Sequence, residues 1–234
     1  MELYAVKFGE SSFRLKYVYR DMEHSDEIVK IAWSYYIAKH DHKTIFIDTG
    51  FRDENTANQW GITFTGVEKE LGRIVDHLNS VDTVIMTHSH FDHIENLDLF
   101  DRPEIIISKI GYENALKECS QSIQQKLLQC RVLTVEDDYI WGGLFRFQVI
   151  GGHSDDSSVV YFEANDNRYV LTGDECYWRD NMISNRPIGV YSSTENNERF
   201  LNDAHHHGFI PLPCHDMQIF EQHPAISKNI VRIL

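Results

Sequence analysis

A chain of 234 residues, 42% hydrophobic and 12% aromatic, holds enough apolar material for one continuous core, so a single domain over residues 1–234 is expected. Its 22 Lys and Arg against 36 Asp and Glu give a formal net charge of −14, and no basic cluster interleaved with aromatics is present to grip a polyanion; no nucleic-acid partner is expected. No apolar run approaches about twenty residues, and Met1 to Phe8 lacks the basic-then-apolar pattern of a signal peptide, so the expectation is a cytoplasmic protein with no membrane partner and a small-molecule substrate.

In chain order, Val29 to Ala38 reads as a strand, and His40-Asp41-His42-Lys43 as a hairpin turn into a second strand, Thr44 to Ile47. His40 and His42 mimic a His-x-His ligand pair, but in a polar turn with no following carboxylate they read as solvated. Arg52 to Phe64 has weak periodicity and carries Asn55, Asn58, Trp60 and Gly61, which suggests a long loop with Trp60 and Phe64 as candidates for a substrate wall. Val67, Leu71, Ile74, Val75 and Leu78 recur at helical spacing, with Asn79-Ser80 closing the segment.

The next segment carries the chemistry. After the apolar run Val84-Ile85-Met86, the sequence Thr87-His88-Ser89-His90-Phe91-Asp92-His93 packs three imidazoles and a carboxylate into one turn. At a strand end side chains alternate faces, so His88 and His90 point the same way, and a tight turn swings Asp92 and His93 back toward them. Four donors cannot serve two ions, since zinc sites want about four-fold coordination with an open position where the metal is catalytic.

Ile105 to Ser108 reads as a further strand and Gly111 to Cys130 as one helix. Three later residues then repeat a single layout, an apolar strand followed by a polar donor: His153 after Leu144 to Ile150 and the pair Gly151-Gly152, Asp174 after Tyr169 to Gly173, and His215 after Ile210 to Cys214. Glu195 to His207 reads as a helix with Leu201 and Ala204 inward and Gly208 closing it; His205, His206 and His207 in its last turn suit the helix dipole. Cys119, Cys130, Cys176 and Cys214 show no CxxC spacing and read as reduced core or loop thiols, including the two beside proposed ligands.

The set His88, His90, Asp92, His93, His153, Asp174 and His215 resembles the metallo-β-lactamase superfamily of metal-dependent hydrolases. Ile45 to Gly50, ending in Asp-Thr-Gly, looks like the family's early strand, Val81 to Thr87 like the strand delivering its His loop, and His215-Asp216 with Phe220 and Pro224 like its terminal segment. The resemblance implies an α+β, four-layer αβ/βα sandwich: two mixed sheets face to face, helices outside, and two divalent metal ions in a cleft at one edge. It assigns His88, His90 and His153 to the first metal, Asp92, His93 and His215 to the second, and Asp174 between them, leaving room for a bridging hydroxide as nucleophile. Zinc is the first expectation for this donor set, with Mn, Fe and Co tolerated.

Tyr177, three residues after Asp174, resembles the tyrosine of N-acyl homoserine lactonases, which implies a lactone- or ester-opening, quorum-quenching hydrolase in which its hydroxyl stabilises the oxyanion and Asp92 passes the proton to the leaving alkoxide. The chain departs from the family where Ser154-Asp155-Asp156-Ser157-Ser158 replaces a frequent Pro-Gly pair. Two alternatives stay open on this fold, a thioester hydrolase of glyoxalase II type and an iron-dependent sulfur dioxygenase. Di-iron oxidoreductases, with glutamate where His90 stands, fit less well, and a non-catalytic binding protein would not need seven intact donors.

Overall fold

The computed structural model describes all residues, 1–234. The chain runs β1 (Glu2–Arg14), α1 (Leu15–Val18), β2 (Ile28–His40), β3 (Lys43–Ile47), α2 (Glu54–Trp60), β4 (Thr63–Phe64) and β5 (Thr83–Ile85). It continues through α3 (Phe91–Ile94), β6 (Glu104–Ser108), α4 (Lys109–Glu118), α5 (Gln121–Gln129), β7 (Arg131–Val135), β8 (Asp138–Trp141) and β9 (Phe145–Val149). The last third holds β10 (Ser158–Ala164), β11 (Asn167–Leu171), α6 (Arg179–Ile183), α7 (Thr194–His206), β12 (Ile210–Leu212), α8 (Met217–Gln222) and β13 (Ile230–Arg232).

Two sheets result. One has eight strands in the order β13-β1-β2-β3-β5-β6-β7, with β4 paired to β1; the other has five, β12-β11-β10-β9-β8. Both are mixed: β3, β5, β6 and β7 run parallel in the first, and β11 pairs parallel with β12 in the second. Period-two alternation sorts the side chains into layers. Tyr36, Ile45, Ile47, Ile85 and Ile106 of the first sheet meet Phe145, Phe147, Val160, Phe162 and Leu171 of the second in the central core. Their neighbours Ile37, Phe46, Val84, Ile105 and Ile107 face the opposite way and pack with Ala115, Ile123 and Leu127 of α4 and α5. Val159, Tyr161 and Val170 on the far side of the second sheet are covered by Phe200, Leu201 and Ala204 of α7. Helix, sheet, sheet, helix is thus the four-layer sandwich expected from the sequence.

Several local expectations need correction. Arg52–Phe64 is not a bare loop: it contains α2, started by the Asp53 side chain accepting from Thr56 N and stopped by Gly61 in the left-handed region, followed by β4. Only Ala57 of α2 is buried, so no apolar stripe marks it. Val67–Leu78 is not an α-helix but a chain of 3₁₀ turns over Val67–Lys69, Leu71–Arg73 and Leu78–Ser80. Val67, Leu71, Ile74 and Val75 are buried as their spacing implies and Leu78 is half-buried, while Gly72 lowers the helix propensity of the segment. The Gly111–Cys130 helix is two helices, separated by extended backbone at Cys119 and Ser120; Glu95 takes the Ser120 N–H and hydroxyl at the break. No helix is long and apolar enough to cross a membrane.

Candidate metal centre

The donors lie on loops that follow β5, β9, β11 and β12. After β5 the chain delivers His88 and His90 and then turns into α3, whose short helical turn brings Asp92 and His93 back against them. All seven sequence-predicted donors come together. His88, His90 and His153 form one group, and Asp92, His93, Asp174 and His215 form another, the donor atoms of each lying within 4.8 Å of one another.

In the first group His90 Nδ1 stands 3.0 Å from His88 Nε2 and 3.1 Å from His153 Nε2. In the second, Asp174 Oδ1 lies 3.0 Å from His215 Nε2 and 3.2 Å from His93 Nε2, and Asp92 Oδ2 is 3.1 Å from His93 Nε2. The other Asp174 oxygen, Oδ2, faces the first group, 3.5 Å from His153 Nε2. One carboxylate therefore touches both groups.

The outward nitrogens explain why the inward ones point as they do. His93 Nδ1 meets Asp48 Oδ2 at 2.8 Å, His215 Nδ1 meets Ala32 O at 2.8 Å, and His153 Nδ1 meets Val190 O at 3.1 Å. Once neutral, a ring that donates from its outer nitrogen presents a lone pair at its inner one, as metal-binding imidazoles require. Asp48 is itself held by Thr87 N and Oγ1, at 2.7 and 2.8 Å, in a left-handed backbone at φ 62°. Its place in Asp48-Thr49-Gly50 was visible in the sequence; its role as the brace for His93 was not.

Burial and mutual charge divide the histidines. Burial, then the neighbouring imidazoles, push His88 well below the usual value, and burial with His153 lowers His90, so both are neutral donors. Burial opposes charge on His93 too, but Asp92, Asp48 and Asp174 together hold it well above the usual value; His215 is raised in the same way, chiefly by Asp174. Against its own burial, Asp174 is held well below the carboxylate range by His215, His93 and His153. The buried atoms His93 Nε2 and Asp174 Oδ1 have no hydrogen-bond partner. Inward-facing imidazole nitrogens, two anionic carboxylates and orphaned inward atoms are what divalent cations would satisfy, and the residues fit two such ions.

Above the donors lies a cavity of ≈ 390 Å³ whose floor is His90, Asp92, His153, Asp174 and His215. Phe13, Tyr17, Trp33, Trp60, Phe91 and Tyr177 wall it, and neither Lys nor Arg lines it. Trp60 sits on this wall, half exposed, its ring 5.4 Å from that of Phe91. Phe64 does not: it packs against Phe51 and the core, because β4 pairs with β1 and turns that side chain inward. Phe13, Tyr17 and Trp33 went unnoticed in the sequence, their only signal being aromatic residues with no family motif around them. Tyr177 is buried, stacked on His215 at 5.1 Å and 20° and on Phe13 at 5.7 Å and 23°.

The remaining candidates lie outside the lining of this cavity. Cys176 sits in the cluster beneath α7, and Cys214 lies behind His93 with its Sγ 3.9 Å from Asp48 Oδ2; burial raises both thiols. His42, in the left-handed turn after β2, is exposed, as are His205, His206 and His207 at the end of α7.

Comparison with known proteins decides the family. The model of the metallo-β-lactamase superfamily matches residues 29–177. The chain belongs to the metallo-β-lactamase superfamily. No curated protein matches it. Among solved structures, a quorum-quenching N-acyl homoserine lactone lactonase superposes with a TM-score of 0.80 at 20% identity, covering 96% of each chain. An N-acyl homoserine lactone hydrolase with the product N-hexanoyl-L-homoserine at its catalytic metal centre gives 0.79 at 20% identity, covering 96% of this chain and 97% of that one. A probable metal-dependent hydrolase from Staphylococcus aureus gives 0.75 at 12%, over 92% and 88%. At these identities the likeness is one of fold, and within the superfamily fold the donors occupy the mouth between the two sheets.

Proposed function

We propose that the chain is a dinuclear metal-dependent hydrolase that opens a lactone or related ester carrying an apolar acyl group. The observation that carries this reading is the pair of donor groups sharing Asp174 on the floor of an aromatic cavity lined by neither Lys nor Arg. Two divalent ions, zinc first, would supply Lewis acidity and water acidic enough to ionise near neutral pH.

The protein's own groups do the rest. The aromatic wall accepts an apolar acyl chain and keeps bulk water from the reacting carbonyl. Tyr177 is held protonated, its phenol pushed well above the usual value by burial and then by Asp174 and Asp92, so it can donate to the carbonyl oxygen as negative charge develops there. As the water oxygen bonds to the carbonyl carbon and the ring C–O bond breaks, Asp92 carries the released proton to the departing alkoxide. The absence of Lys and Arg from the wall favours a neutral substrate over the anionic thioesters and persulfides of the alternative readings, since carboxylates of such substrates lying along the wall, away from the metals, would find no cationic side chain to pair with. N-acyl homoserine lactones, named for two of the structural neighbours, are the first substrates to try, and activity on them would make the protein quorum-quenching.

The test is metal quantification on purified protein beside a panel of lactones, esters, thioesters and phosphodiesters. About two ions per chain and chelator-sensitive turnover of acyl lactones are expected. Preferred turnover of a thioester or a phosphodiester, or oxygen uptake with a persulfide, rejects the reading.

A further inference from the structure

Glu175, next to Asp174 in the chain, is fully buried yet takes no part in the chemistry above. All its partners are neutral. One oxygen accepts from Gly152 N at 2.9 Å, from His153 N at 3.0 Å and from the Ser157 hydroxyl; the other accepts from Asn197 Nδ2 at 2.7 Å. Three of these four donors belong to the turn that delivers His153. The approach is so close that a Cβ on Gly152 would stand 2.3 Å from Glu175 Oε2, which leaves glycine as the residue that fits there.

The fourth donor ties the same carboxylate to α7 and to the segment that meets the His153 ring. Asn197, fully buried on α7, also donates to Glu175 O at 2.9 Å, and its Oδ1 accepts from Ile188 N at 3.2 Å. Two residues on, Val190 O takes His153 Nδ1, and Ser192 N returns to Gly152 O and His153 O at 2.8 and 2.9 Å. Glu175 and Asn197 thus hold both the backbone of His153 and the segment that orients its imidazole. Of the second group only Asp174 adjoins this network, as the chain neighbour of Glu175; Asp92, His93 and His215 make no hydrogen bond to it, and the two rings are braced by Asp48 and Ala32 instead.

We propose that Glu175 is a positioning residue for the three-histidine group: through His153 it sets that group's affinity for its ion and leaves the other group's affinity alone. This rests on the dinuclear reading. Outer partners that orient a ligand are worth about 10- to 100-fold in metal affinity.

The test is Glu175→Gln, which keeps size but turns an NH₂ toward either the Gly152, His153 and Ser157 donors or the Asn197 donor. Zinc affinity is measured by chelator competition in two backgrounds. In His215→Ala, which keeps the three-histidine group, the remaining ion is expected to weaken about 10- to 100-fold on adding Glu175→Gln. In His153→Ala, where the ring Glu175 acts on is gone, adding Glu175→Gln is expected to leave the remaining ion's affinity unchanged. Equal weakening in both backgrounds, or none in either with only a lower unfolding temperature, overturns the proposal. Should the Gln variant not fold, Ser157→Ala removes one donor and must show the same selectivity, in smaller degree, for the proposal to stand. Fewer than two ions on the wild-type protein would instead reject the dinuclear reading, and the proposal with it, before any variant is made.

Discussion

Removal of one hydroxyl, in Tyr177→Phe, separates a catalytic tyrosine from a packing one. The ring of Tyr177 lies flat against His215 on one side and Phe13 on the other, and phenylalanine keeps both stacks. Packing therefore changes little, and metal content is expected to stay at the wild-type level. What is lost is a donor in a water-poor cavity. Deleting such a donor typically costs about 100- to 1000-fold in kcat, and cations sharing the same charge reduce that to at least roughly tenfold, or about 1.4 kcal/mol of barrier. Because burial, Asp174 and Asp92 raise the phenol, it stays protonated through the neutral and mildly alkaline range, so the wild-type pH–rate profile should show no loss of activity from its ionisation there. The assay is kcat on an acyl lactone at matched metal content. Tyr177→Ala serves as contrast: emptying the space between His215 and Phe13 should cost about 3–5 kcal/mol of stability and loosen the His215 ring. Wild-type turnover in Tyr177→Phe would reduce the residue to packing and leave simple esters as good candidates as lactones.

Three further outcomes are expected. His215→Ala should retain about one ion per chain, since the His88, His90 and His153 group is untouched; two ions at wild-type occupancy, read by elemental analysis, would break the ligand assignment. Asp174→Asn keeps the size of the shared carboxylate but removes its charge, so kcat should fall at least about 100-fold at neutral pH and the pH–rate profile should move to the alkaline side; an unmoved profile counts against a bridging position. Zinc loading should expel protons, because the carboxylates around His93 and His215 raise both imidazoles in the metal-free protein. By the same sign, the contribution of these histidines to metal-free stability is full below their unfolded value of about 6.5 and is lost as pH rises through the raised folded values, while zinc affinity grows. Calorimetry in buffers of different ionisation heat reads the proton count, and zero release would contradict the charge pattern.

The donors could be read from the sequence because each sits just past a strand, and an apolar run ending in His or Asp is a local signal. Four of the seven fall within His88 to His93, so their grouping needed no knowledge of the fold. The layers follow from the family resemblance rather than from alternation: β3 and β6 are apolar on both faces, so their residues report burial on both sides without saying which face meets which layer. Elements held by caps rather than by an apolar stripe leave no such signal, as α2 shows with its single buried residue, and the 3₁₀ turns of 67–80 share a helix's pattern because both bury residues three and four apart.

What the sequence concealed is the set of contacts that aims the donors. Asp48 lies 45 positions from the His93 it braces, and Ala32 O is 183 positions from His215. The wall is equally non-local, with Phe13 and Tyr17 brought from the β1–α1 end, Trp33 from β2 and Trp60 from α2 to one mouth. Donor identity follows from residue type, but a metal site also needs each imidazole turned the right way, and here a main-chain carbonyl or a distant carboxylate turns three of them. The chemistry of this centre is therefore written in short motifs, while its affinity and substrate shape depend on pairings that only the closed sandwich creates. That division makes Glu175 informative: it is adjacent to Asp174 in the chain, yet its side chain serves a histidine 22 positions earlier, so its effect on metal affinity measures how far the scaffold, beyond the motif, sets the centre.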